Sequence, residues 1–148
     1  MSYTLKGLNK KEFSFNHFVY PLILTGAKKY GWEPMGVYLG ELQIKYFKLP
    51  DVRYGKGDIQ VYLSNGHQRI EKKDALNLKV ALEKALSDDY AFNEERLKDK
   101  NMIKNIFNFF CNKKDTEIFV TTFTKEEMQK QVKEFIKFLG KCGGFITT

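Results

Sequence analysis

The chain is poor in the residues that acid–base and nucleophilic chemistry draw on. Its only histidines are His17 and His67, its only cysteines are Cys111 and Cys142, and its serines are Ser2, Ser14, Ser64 and Ser87. A nucleophile needs a base within hydrogen-bond reach, and none of these serines lies in a Gly-x-Ser-x-Gly turn. His17 stands among apolar residues where a helix should begin and His67 follows a turn, so both read as ordinary histidines. Zinc asks for four nitrogen or sulfur ligands at local spacings, and the two histidines and two cysteines are scattered from 17 to 142. HExxH, P-loop, Gly-x-Gly-x-x-Gly and EF-hand patterns do not occur. The carboxylate pairs Asp88-Asp89, Glu94-Glu95 and Glu126-Glu127 flank expected helix starts, where negative charge complements the helix dipole. The expectation is a protein without cofactor or metal; an enzyme with a site assembled from dispersed residues ranks behind two binding readings.

The residues that could bind a partner are of two kinds. Trp32, the only tryptophan, lies in the glycine-punctuated loop Gly31–Gly40, and tryptophan is enriched at the energetic centres of interfaces. A tryptophan beside a helix end is also a common core plug. With Arg53, Tyr54, Lys56 and His67 it forms the candidate partner-binding set. The nucleic-acid alternative rests on Lys130, Lys133, Lys137 and Lys141, which fall within about 80° of one another on a helix. Such a stripe is also what an ordinary solvated face looks like, since Glu126 and Glu134 offer i,i+4 partners to Lys130. Tyr46, Lys45, Lys48, Arg53, Tyr54, Lys56 and Tyr62 give a second nucleic-acid face, aromatics interleaved with basic groups as base stacking requires.

The 148 residues suit one domain. At 43% hydrophobic, 15% aromatic and 29% charged they predict a packed core rather than disorder. The 25 basic and 18 acidic residues leave a charge of +7, spread without any block of five like charges. Residues 1–50 contribute +4 (7 basic, 3 acidic), residues 51–100 balance at 10 and 10, and residues 101–148 contribute +3 (8 basic, 5 acidic). A diffuse basic excess points to an acidic protein partner and not to a basic tail gripping nucleic acid. No apolar run approaches the roughly 18 residues of a membrane span, and the amino end lacks a signal-peptide pattern. Two unpaired thiols and Lys- and Asn-rich polar positions fit a bacterial cytoplasm.

The elements that must position these groups follow from periodicity. Residues 1–12 read as an extended or irregular arm. Phe15, Phe18, Val19, Leu22, Ile23 and Ala27 predict a helix from Asn16 to Tyr30, ended at Gly31. Alternation over Glu41–Leu49 and Asp58–Leu63 predicts two strands, and Asn65-Gly66 predicts a tight hairpin turn. A helix is expected over Lys72–Ser87 and another over Asn93–Asn112, then a strand at Thr116–Phe123. Thr124-x-x-Glu127 is a capping box opening a last helix to Lys141, and Phe145-Ile146-Thr147 follows as a short edge strand. The fold class is α+β: one domain over 1–148, a small antiparallel sheet with a central β-hairpin and about four helices packed on one face.

Three segments carry a resemblance. Gly31-Trp-Glu-Pro-Met-Gly36, Val61-Tyr-Leu-Ser-Asn-Gly-His-Gln68 and Asp74-Ala-x-x-Leu-x-x-Ala-Leu-x-x-Ala-Leu86 resemble small bacterial proteins sharing a GW-x-PMG, Y-x-SN-x-GQ, DA-x-x-L-x-x-AL order. Some of that group are regarded as immunity proteins of polymorphic toxin systems. Gly66-His67-Gln68 departs from the group, which favours an acidic or polar residue before Gly-Gln. The resemblance spans about residues 30–86 plus Gly144-Phe-Ile and implies a binding protein, an inhibitor of a toxin, with no catalytic residues to carry over.

Overall fold

Alternation at the amino end places Tyr3, Leu5 and Phe15 on one side and Thr4, Lys6 and Ser14 on the other, the pattern of strands with one buried face. The structure is a computed structural model describing residues 2–48, 50–64, 66–93 and 124–148. Its strands are β1 (Ser2–Gly7), β2 (Glu12–Asn16), β3 (Val37–Tyr38), β4 (Arg53–Tyr54), β5 (Arg69–Glu71) and β6 (Gly144–Thr147). Its helices are α1 (Val19–Lys29), α2 (Glu41–Phe47), α3 (Lys72–Ser87) and α4 (Lys125–Lys141). The fold is α+β, as expected, with a larger sheet: six antiparallel strands in the order β2-β1-β6-β5-β3-β4.

The long helices lie on one face of this sheet. Alanine and leucine at 75, 78, 81, 82 and 85 give α3 its buried side, and Met128, Val132, Phe135 and Leu139 give α4 its own. Phe135 meets the Phe13 and Phe15 rings at 5.5 and 4.8 Å, tying α4 to β2. Burying four such side chains is worth on the order of 8 kcal/mol, against about 1 kcal/mol for a cap. Packing therefore decides that α4 forms, and the Thr124 Oγ1, which accepts from the Glu127 N–H at 3.2 Å, decides where it starts. In α1 Pro21 falls in the first turn, where its missing N–H is no loss.

Five sequence expectations are corrected. The first dozen residues are no arm: β1 is paired on both sides, to β2 and β6. The first helix begins at Val19 because Asn16 ends β2 and turns the chain, its Oδ1 accepting from the Phe18 N–H at 3.0 Å. Glu41–Phe47 is helical, not a strand; among the described residues no strand pairs with it, and Lys48 closes it in the left-handed region at φ 51°. The hairpin of 58–70 does not exist. The Asp58 side chain accepts from the Gln60 N–H at 2.9 Å and winds Ile59–Tyr62 into a 3-10 turn. The buried Gln68 amide then ties Gly66 and the Val61 and Ser64 carbonyls together, and β5 pairs with β3 and β6 instead. Finally, β6 is an interior strand, not an edge. Apart from Asn93, the expected helix 93–112 lies outside the described residues, as does the strand 116–123.

Candidate functional site

The loop after α1 is fixed from below by a buried carboxylate. Asp74 sits in the first turn of α3 with 1% of its surface exposed. Its Oδ1 accepts from the Trp32 indole N–H at 2.9 Å, and its other oxygen accepts from the Tyr62 hydroxyl. The Tyr62 oxygen in turn accepts from the Gly36 N–H at 3.1 Å, and the two rings meet edge to face at 5.1 Å. Burial raises the Asp74 carboxyl above the ordinary range, and the Tyr62 and Trp32 donors pull it back. Burial also raises Tyr62, reinforced by its bond to Asp74. Tyr20, fully buried on α1 near the same carboxylate, has a hydroxyl without a hydrogen-bond partner among the described residues. All three segments of the resemblance contribute here: Trp32 and Gly36 from the first, Tyr62 from the second and Asp74 from the third.

What this network holds in place is β3, and with it the face of the sheet turned away from α3 and α4. Directly opposed residues share a face, so the registers define one transverse row: Glu12, Lys6, Ile146, Arg69, Tyr38 and Arg53. At its basic end the Arg69 and Arg53 guanidiniums lie over the Tyr38 ring at 4.7 and 5.7 Å. Glu71 accepts from the Tyr38 hydroxyl at 2.9 Å and from Arg53, while Asp51 approaches Arg69 at 3.9 Å. The arginines remain exposed but are preorganised by ring and carboxylate.

Separated from β3 by two residues of the chain, α2 carries Tyr46 and Phe47, 84% and 65% exposed, with their rings 5.4 Å apart, and Val52 further on is 48% exposed. Residues 44–57 hold Lys45, Lys48, Arg53 and Lys56 against Asp51 alone, a local charge of +3.

The candidate residues separate accordingly. Trp32 is 1% exposed, so the expectation of a partner contact there is corrected: its indole plugs the core because Asp74 awaits its N–H. Arg53 lies on the open face, while Tyr54, paired with Val37, points to the opposite one and donates to the Pro50 carbonyl at 3.1 Å. Lys56 is exposed in the turn between Gly55 and Gly57. His67 is exposed in the left-handed region at φ 59°, packed against the Gly40 backbone that starts α2. Tyr62, expected on a nucleic-acid face, is fully buried.

Lys130, Lys133, Lys137 and Lys141 are all exposed on α4. Three of them line a shallow groove opposite Glu83 and Glu134, and Lys137 pairs with Glu134 at 3.5 Å, which offsets their charge. His17 is half-buried and stacks on Tyr3 at 5.3 Å, and Cys142 is buried, its thiol pushed up by that burial; Cys111 lies outside the described residues. The described residues contain no group of three or more metal-ligating side chains placed to hold an ion and no helix long and apolar enough to cross a membrane.

Phe47, Tyr38 and Arg69 were not singled out from the sequence. The Tyr38–Arg69 contact joins residues 31 apart and leaves no local signal, whereas two adjacent aromatics in a lysine-flanked helix are a signal hidden by reading the segment as a strand. Comparison of the chain with protein-family models, with curated proteins and with solved structures finds no match in any of the three.

Proposed function

We propose that this is a non-enzymatic partner-binding protein, an immunity-type inhibitor that holds an acidic protein toxin in the bacterial cytoplasm. The observation that supports it is the sheet face turned away from α3 and α4, which bears exposed arginines already fixed over Tyr38. Binding through preorganised side chains avoids much of the ordering cost of association. The surrounding positive charge would steer an acidic partner and speed encounter. The resemblance at residues 31–36, 61–68 and 74–86 supports the inhibitor form of this reading, with the motif residues acting as the frame of the surface rather than as its contacts.

The experiment is a tagged capture from the source bacterium at low and high salt, run with the natural chain and with the Arg53→Glu/Arg69→Glu variant, followed by co-expression of the captured protein. One stoichiometric protein, bound by the natural chain, lost with the variant and toxic unless the natural chain is co-expressed, is the expected result. Capture of no stoichiometric protein, or of nucleic acid in its place, overturns the reading.

A further inference from the structure

A stable fold gives no reason for Tyr46 and Phe47 to be where they are. Single exposed aromatics are ordinary, but here two adjacent rings in edge-to-face contact project from a seven-residue helix. Ile44 is half-buried; Lys45, Tyr46, Phe47 and Lys48 that follow it are all exposed. Its ends are fixed by backbone geometry. At Gly40 the chain passes so close to Gly66 that a Cβ would lie 3.0 Å from the Gly66 carbonyl oxygen, and at Lys48 the left-handed turn redirects it. The rings are therefore presented by a held element and not by a slack loop.

Resting on the reading above, we propose that α2 is the anchor of the complex: Tyr46 and Phe47 enter an apolar recess on the acidic partner protein, and Lys45 and Lys48 face carboxylates at its rim. Among the described residues these two lysines make no ion pair, so they are available, and an apolar centre with a charged rim is the usual anatomy of a protein interface.

The same residues disfavour two other occupants. A nucleic acid would carry its continuous run of phosphates past the Asp51 and Glu71 carboxylates that stand among the arginines, whereas a protein places its carboxylates singly. Rings at 75° to each other also make a poor platform for successive stacked bases. A second copy of the chain would bring two patches of like charge together.

The test uses the full chain and two fluorescein-labelled peptides of about 16 residues and equal leucine and phenylalanine content, one otherwise glutamate and the other lysine. The acidic peptide should bind, weaken about tenfold on Tyr46→Ala/Phe47→Ala, and weaken on Lys45→Glu/Lys48→Glu and as salt rises. Both aromatic side chains are exposed, so the first variant should melt with the natural chain, which separates lost binding from lost folding. Equal affinity for the aromatic variant, equal binding of the lysine peptide, or binding only of a single-stranded oligonucleotide overturns the proposal. If the stoichiometric partner of the capture experiment is retained by the aromatic variant, α2 is not the anchor while the partner-binding reading stands.

Discussion

The Asp74 cluster sets a buried carboxyl against two side-chain donors, and the two tyrosines that border it are in opposite situations. Removing Asp74 leaves the Trp32 N–H and the Tyr62 hydroxyl buried and deprived of their acceptor. Asp74→Ala should cost on the order of 3 kcal/mol, because orphaned buried donors cost more than a hydrogen bond gains. Tyr20→Phe removes a hydroxyl that has no partner among the described residues and should leave stability unchanged or raise it by up to about 1 kcal/mol. Urea denaturation of both variants decides; a Tyr20→Phe loss comparable to Asp74→Ala would mean that the hydroxyl is satisfied.

The same carboxyl sets a pH dependence. Because burial raises it, the folded state holds its proton more tightly than the unfolded chain, so its contribution to stability grows as pH falls toward the ordinary value of 3.8 and is lost above the raised one. The stability difference between the natural chain and Asp74→Asn should therefore shift in favour of the natural chain from about pH 7 to about pH 4. A difference independent of pH would mean an unperturbed carboxyl.

At the scale of elements, what was legible in the sequence was whatever a local rule decides. Lys72–Ser87 and the Thr124-capped helix appear with the expected bounds because a long 3.6 period and a capping box are properties of contiguous residues. Alternation over the nine residues 41–49 is equally compatible with a helix, and among the described residues no strand pairs with that segment; the hairpin does not form because Asp58 and Gln68 settle residues 58–70 by side-chain bonds. The candidate site was half visible. Composition and spacing leave Trp32 open between a core plug and a partner contact, and only its Asp74 acceptor, 42 residues away, decides for the core.

Glycines at element junctions give a graded test of this geometry. Gly144 has φ 100°, and a Cβ there would sit 2.8 Å from the Ile70 carbonyl oxygen in the neighbouring strand, whereas Gly57 has φ 80° with open space around it. Gly57→Ala should cost about 1 kcal/mol for the left-handed backbone alone, and Gly144→Ala distinctly more, since the β5–β6 ladder must open. Thermal melts showing equal losses would mean that β6 lies farther from β5 than the Glu71–Gly144 pairing requires.

For the whole molecule the decisive fact is which strands meet at the middle of the sheet. Strands β2 and β1 form one half and β5, β3 and β4 the other, and β6 is the strand that joins them. It does so with backbone ladders on both sides and with side groups as well. The Thr147 N–H donates to the Gln68 carbonyl at 3.1 Å, the Thr147 hydroxyl to the Ser64 carbonyl at 3.0 Å, and the Leu8 N–H to the Gly144 carbonyl at 3.1 Å. Phe145, fully buried, packs against Phe138 at 6.0 Å and so links the sheet to α4. Among the described residues neither half has three long strands of its own: β3 and β4 are two residues each and β5 is three, below what an isolated sheet needs. The open face and α2 both hang on that weaker half, so the binding surface depends on a strand that contributes one residue, Ile146, to the row. A chain truncated after Gly143 should therefore lose its cooperative urea transition and its near-ultraviolet dichroism, not merely fall by the few kcal/mol of a lost edge. Arg53 and Arg69 should lose their fixed placement over Tyr38 in the same step, abolishing partner capture even though none of the removed residues is a proposed contact. A truncated chain that still unfolds cooperatively with an unchanged denaturant slope would show that the two halves hold together without β6, through α3 and its packing on α1 and α4.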